Sequence, residues 1–113
     1  MKLRLARNKD GKQIINLIKK CYQDYPNCYL DVDNDSPELK YVYSYFRKNK
    51  GKFWVYEKNN KIIGCMGIAP GSGKSLEIHR LYIDKKYRRR GLAKKLLAIA
   101  ENYALKSKVK KIT

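Results

Sequence analysis

Acidic residues are scarce: 10 Asp and Glu stand against 27 Lys and Arg, a formal charge of +17 on 113 residues. That imbalance points to an anionic partner, whether nucleic acid, a phosphorylated cofactor or a membrane surface. The competing explanation is compositional, because a chain rich in Lys, Asn, Ile and Tyr gains charge without any function behind it. Cysteine is also sparse. Cys21, Cys28 and Cys65 make an odd count at irregular spacing, which excludes a disulfide framework and fits a reducing, cytoplasmic setting. No apolar run approaches the roughly 20 residues of a membrane span, so an integral membrane protein is not expected. Met1 to Asp10 lacks the apolar stretch of a secretory signal. Internal repeats, low-complexity blocks and linkers are absent too, and the length allows a single domain over residues 1–113.

What is present is a folded composition, 43% hydrophobic beside 33% charged. Lys2 to Arg7 alternates, with Leu3 and Leu5 on one side, and reads as a strand. Asp10 and Gln13 form a capping-box pattern, and Ile14, Leu17, Ile18 and Cys21 recur at helical spacing over 11–24. Ser36-Pro37-Glu38 predicts a second helix start, with Leu39, Val42, Tyr43 and Phe46 as its buried stripe and Gly51 past its end. Phe53–Tyr56, an Asn59-Asn60 turn and Lys61–Ala69 read as an antiparallel hairpin. Ser75–Ile83 follows as a strand and Gly91–Ser107 as a third helix, its face carrying Leu92, Leu96, Ala100, Tyr103 and Ala104. Val109 to Thr113 opens a further strand. The order β-α-α-β-β-β-α-β predicts an α/β fold, a mixed and mostly antiparallel sheet flanked by helices.

The richest stretch runs from Leu81 to Ala93. A strand enters a basic loop, Lys85 to Arg90, and the loop enters a helix at Gly91. Unpaired N–H groups and the positive dipole end at a helix start suit a phosphate. A glycine there lets a bulky anion approach the backbone, and arginines supply bidentate donors. A solvated basic loop ahead of an ordinary helix cap is the plainer alternative.

Arg88-x-x-Gly91-x-Ala93, set between a strand and a helix, resembles the acetyl-CoA pyrophosphate motif of the GNAT (Gcn5-related) N-acetyltransferases, and the order of elements matches that family along essentially the whole chain. The resemblance implies that backbone amides of Arg89, Arg90, Gly91, Leu92, Ala93 and Lys94 hold the pyrophosphate, with Arg88 opening the cofactor-binding motif. It implies that Leu81, Tyr82 and Ile83 pair with the pantetheine arm and direct an N–H at the thioester carbonyl. Lys85 stands where the family often has Pro, and Ala93 where Gly is commoner. The implied reaction is acetyl transfer from acetyl-CoA to a primary amine of a small molecule, peptide or protein. Such an amine, with a pKa of about 10.4, must lose a proton before it attacks. Glu77 matches the family's glutamate base, and His79, two residues on along the same strand face, is the candidate for a proton wire. A strand-edge salt bridge for Glu77 and a packed or surface role for His79 are the plainer readings.

Five of the ten acids (Asp24, Asp31, Asp33, Asp35 and Glu38) lie in or beside the loop between the first two helices, which in this family flanks the acceptor site. They suggest a cationic amine or polyamine acceptor, against the plainer roles of loop solubility and helix capping. No metal is expected, because Ser36 and Val42 replace the Gly and Glu a calcium loop needs after Asp31-x-Asp33-x-Asp35. The family continues past its fifth strand with a helix and two strands that supply a tyrosine acid. By that comparison this chain ends inside the fifth strand at Lys111-Ile112-Thr113. The expectation is therefore a catalytically incomplete acetyl-CoA-binding fragment, a homo-oligomer, or a domain completed by another chain. The alternative of another class is a small basic nucleic-acid-binding module without catalysis, using Lys85–Lys95 and Lys106–Lys111.

Overall fold

The computed structural model of the chain describes residues 1–23, 37–71, 73–107, 109 and 111–113. The acids at 24, 31, 33 and 35, Ser36 and Cys28 lie outside the described residues, as do positions 108 and 110. Strand β1 is Lys2–Leu5, helix α1 Gly11–Tyr22 and helix α2 Val42–Lys48. Strands β2 (Lys52–Lys58), β3 (Lys61–Pro70) and β4 (Ser75–Ile83) precede helix α3 (Leu92–Lys106) and a short strand β5 (Lys111–Ile112). One sheet in the order β1-β2-β3-β4-β5 results. The first four strands are antiparallel, and β5 joins β4 in parallel. The expected α/β class and mixed, mostly antiparallel sheet are therefore found.

Two cores sandwich the sheet. On one face Ile14, Leu17, Ile18 and Cys21 of α1 meet Val42 and Phe46 of α2 over Phe53, Val55, Ile62 and Cys65. On the other, Leu92, Leu96, Ala100 and Ala104 of α3 cover Ile63, Met66, Ile68 and Leu76. Central strand β3 is buried on both faces, which is why its sequence runs apolar without alternation. The hairpin turn forms because Asn59 and Asn60 both take left-handed backbone angles, with φ of 50° and 63°.

Four local expectations need correction. The second helix starts as a 3-10 segment, Pro37–Tyr41, before α2. Buried Leu39 and Val42 are three apart, the 3-10 repeat, whereas Val42 and Phe46 are four apart, the α repeat. Tyr43 belongs to the outer face and is exposed, as are Leu3 and Leu5 of edge strand β1. The inward positions of β1 are Arg4 and Ala6, since the Arg4 guanidinium grips buried Asp10 through two bonds of 2.8 and 3.0 Å and also reaches Glu57 at 3.0 Å. Asp10 consequently makes no side-chain cap on α1, and its Oδ2 accepts the Arg7 N–H. Gln13, freed from a capping box, accepts the Ile62 N–H at 3.0 Å and fastens α1 to β3.

Candidate active site

Strand β4 carries the candidate chemistry, and its geometry turns on one irregularity. Cys65 of β3 faces Tyr82 and Gly67 faces His79, so Arg80 and Leu81 together oppose the single residue Met66. Arg80 absorbs the extra residue with φ of 53°, a bulge that bends the strand. Without it, alternation would put His79 and Tyr82 on opposite faces. With it, Phe46 of α2 meets the His79 ring at 6.0 Å, and Tyr22 of α1 meets the Tyr82 ring edge-on at 5.8 Å, both on the α1–α2 side.

Glu77 and His79 are brought together: Nε2 of His79 lies 3.3 Å from Oε2 of Glu77, and both side chains are about two-fifths exposed. Farther along, Arg80 faces Glu38 at 3.6 Å and donates to the Tyr22 hydroxyl at 3.5 Å. Tyr82 donates to the same oxygen at 3.1 Å. Burial, reinforced by the Tyr22 contact, pushes the Tyr82 phenol up to about 12, so it stays protonated at neutral pH.

Ile78 donates its N–H to the carbonyl of Thr113, the residue after β5. From His79 onward, among the described residues, β4 has a strand neighbour only on its β3 side. Beside that edge opens a cleft of about 550 Å3 lined by Cys21, Tyr22, Leu81, Tyr82, Ile83, Arg88 and Ala93. A second hollow of about 240 Å3 shares Ile83, Arg88 and Ala93 and extends along Arg89, Gly91, Leu92 and Lys94 to the start of α3. Of the residues predicted from the Leu81–Lys94 stretch, all but Arg90 line these two adjoining hollows. Leu92 also anchors the helix in the second core.

The loop between β4 and α3 is held from several directions. Asp84, buried, accepts the Lys86 N–H at 3.0 Å and pairs with Lys20 of α1 at 2.9 Å. Burial would raise its carboxyl, but the Lys20 and Lys86 bonds outweigh that and hold it below the usual range. Arg88 Nε donates to the Ile83 carbonyl at 3.0 Å, so this side chain ties the loop back to the strand. Arg89 and Gly91 are both left-handed, at φ of 65° and 77°. Gly91 caps α3 without a side-chain bond, and a Cβ built on it would meet nothing within 4 Å. The space ahead of the free helix N–H groups is open, as an approaching phosphate requires. Tyr22, Lys20, Asp84 and Arg80 were not among the sequence candidates. Their roles depend on contacts 58 to 64 residues apart along the chain, as in the Arg80–Tyr22 and Lys20–Asp84 bonds. No group of three or more metal-ligating side chains occurs among the described residues, and no helix there is long and apolar enough to cross a membrane.

This strand, bulge, loop and helix gather the candidate residues at one edge of the sheet, and comparison with known proteins identifies the family. The chain matches the family model of the Acetyltransferase (GNAT) family over residues 13–113 and belongs to that family. It is 35% identical over 74 residues to probable N-acetyltransferase 14 of Xenopus tropicalis, covering 63% of this chain and 35% of that protein. It is 31% identical over 102 residues to the uncharacterized N-acetyltransferase YjgM of Escherichia coli K12, covering 84% and 59% respectively. The chain thus spans less than two thirds of the length of these relatives. Among solved structures, a GNAT-family acetyltransferase from Staphylococcus aureus Mu50 superposes with a TM-score of 0.86 at 21% identity, covering 98% of this chain and 69% of that one. A predicted acetyltransferase from Clostridium acetobutylicum, solved with acetyl-CoA, superposes at 0.75 with 25% identity, covering 99% and 78%.

Proposed function

We propose that this chain binds acetyl-CoA and carries out N-acetyl transfer to a primary amine of a small molecule, peptide or protein. The observation that carries the proposal is the continuous path from the open edge of β4 to the uncapped start of α3, where the absent side chain of Gly91 leaves the N–H groups accessible. Amides from Arg89 to Lys94 and the positive end of a 15-residue helix suit a pyrophosphate. Bound acetyl-CoA supplies an activated acyl carbon. The chain's own residues do the rest. Leu81 to Ile83 present backbone along the cleft, where an N–H stabilises charge developing on the carbonyl oxygen. The Glu77 carboxylate takes the proton that the incoming ammonium must lose, directly or through water. His79, in contact with it, offers an onward path. A cationic amine is favoured as the acceptor by the exposed carboxylate of Glu77.

Titration calorimetry of this chain with acetyl-CoA should show binding that weakens as salt rises, because phosphate contacts are screened. Thiol release in the presence of an amine panel then reads turnover. Tight binding of mixed-sequence RNA without acetyl-CoA binding would overturn the proposal in favour of the nucleic-acid module.

A further inference from the structure

Beside the proposed phosphate path, three cations converge on one aromatic ring, two from the loop that carries the ring and one from the β2–β3 hairpin. Lys58 Nζ, at the end of β2, lies 5.1 Å from the centre of the Tyr87 ring. The Arg90 guanidinium lies at 5.4 Å and Lys86 Nζ at 6.0 Å. Tyr87 itself is partly buried against the α3 core, and it lines the hollow that leads to Gly91. Cations attract a ring face but repel each other, so a fold gains little from gathering three of them there. The acids nearest in sequence are both engaged elsewhere, Asp84 with Lys20 and the Lys86 N–H and Glu57 with Arg4. The ring neither compensates three charges nor is matched by any carboxylate bonded to them among the described residues. An anion bearing more than one charge resolves that repulsion.

Resting on the acetyl-CoA reading, we infer that Lys58, Lys86 and Arg90 around Tyr87 form a second phosphate site, distinct from the helix start, which takes the ribose 3′-phosphate of CoA. The chemistry fits the ligand class. CoA carries a pyrophosphate and, separately, a terminal phosphate monoester with close to two negative charges at neutral pH. The helix N–H groups suit the first, and mobile ammonium and guanidinium groups suit the second. Lys58 has the leading part, since it comes from the β2–β3 hairpin and has no place in the helix-start cradle.

The test compares CoA with dephospho-CoA by calorimetry, in the parent and in Lys58→Gln/Lys86→Gln. The parent should prefer CoA by about tenfold or more, the equivalent of one charge-assisted contact of about 1.4 kcal/mol. In the double variant the preference should fall to threefold or less, with dephospho-CoA affinity within twofold of the parent. Thermal melting confirms that the variant is folded. Lys58→Gln alone, at the half-buried end of β2, gives the same comparison if the double variant does not fold. A parent that binds both ligands equally overturns the second site and leaves the acetyl-CoA reading standing. An equal loss for both ligands in the variant also overturns it, since that is general charge. A parent that binds neither ligand overturns both.

Discussion

Gly91 allows the proposed phosphate site to be separated from the stability of the loop around it. A Cβ at this position meets no atom within 4 Å, so Gly91→Ala brings no clash. Its cost is conformational: with φ at 77°, alanine must sit in the left-handed region, at about 1 kcal/mol. For a domain of this size that lowers Tm by roughly 4 °C. Asparagine visits the left-handed region far more readily, so Gly91→Asn should cost only about half as much. Its larger side chain nevertheless projects into the same open space, ahead of the α3 N–H groups. Losing one or two charge-assisted bonds to phosphate, each worth about 1.5–3 kcal/mol, weakens binding by roughly 100-fold. The two variants should therefore rank in opposite orders, alanine worse in melting and asparagine worse in acetyl-CoA calorimetry. An asparagine variant that binds within threefold of the parent, or affinities that follow Tm in both variants, would refute a phosphate at the start of α3.

Glu77→Gln should lower kcat by roughly 10²–10⁴-fold at pH 7, with the deficit shrinking at high pH and acetyl-CoA affinity unchanged. Unchanged turnover at pH 7 would remove Glu77 as the base. Arg4→Ala leaves the buried Asp10 carboxylate without its bidentate partner and should destabilise by about 3 kcal/mol in chemical denaturation, against less than 1 for the exposed Leu3→Ala. Equal losses would show that the pair is dispensable. In the native fold burial raises the Asp10 carboxyl, but its Arg4 and Arg7 bonds win and hold it low, as Asp84's partners do. Stability from both acids should be complete above the ordinary carboxylate range near pH 4 and fall as pH drops through the depressed native values. A Tm that holds constant from pH 5 to pH 2 would contradict this. Asp84→Asn keeps an acceptor for the Lys86 N–H but loses the Lys20 ion pair, so acetyl-CoA affinity should drop more than Tm. An unaltered dissociation constant would show that the loop holds its shape without the pair.

The parts of the fold legible in the sequence were those written in local periodicity. The α1 stripe, the Asn59-Asn60 turn and the strand-to-helix passage ending at Gly91 each follow from neighbours within a turn or two. Strand β1 misled because its alternation reads leucine inward. The fold instead turns Arg4 inward, where Asp10 and Glu57 satisfy it, a pairing 53 residues distant in the second case. The face shared by Glu77 and His79 was legible as a period of two. The arrival of Tyr82 on that same side was not, since no Gly or Pro marks the bulge and an arginine occupies its left-handed position. Lys58 was equally hidden, as only tertiary folding carries the hairpin end to Tyr87.

That bulge has a consequence for how this strand tolerates length change. In a regular pleat, losing one residue exchanges the faces of everything beyond it, so strands rarely survive deletion. Here β4 already holds one residue too many. A chain lacking Arg80 would keep Leu76 and Ile83 pointing at α3 and would relieve a strained arginine. It would also straighten the strand at the point where it parts from β5. A strand shorter by this one residue would thus be regular, but would lose the bend that lies beside the cleft.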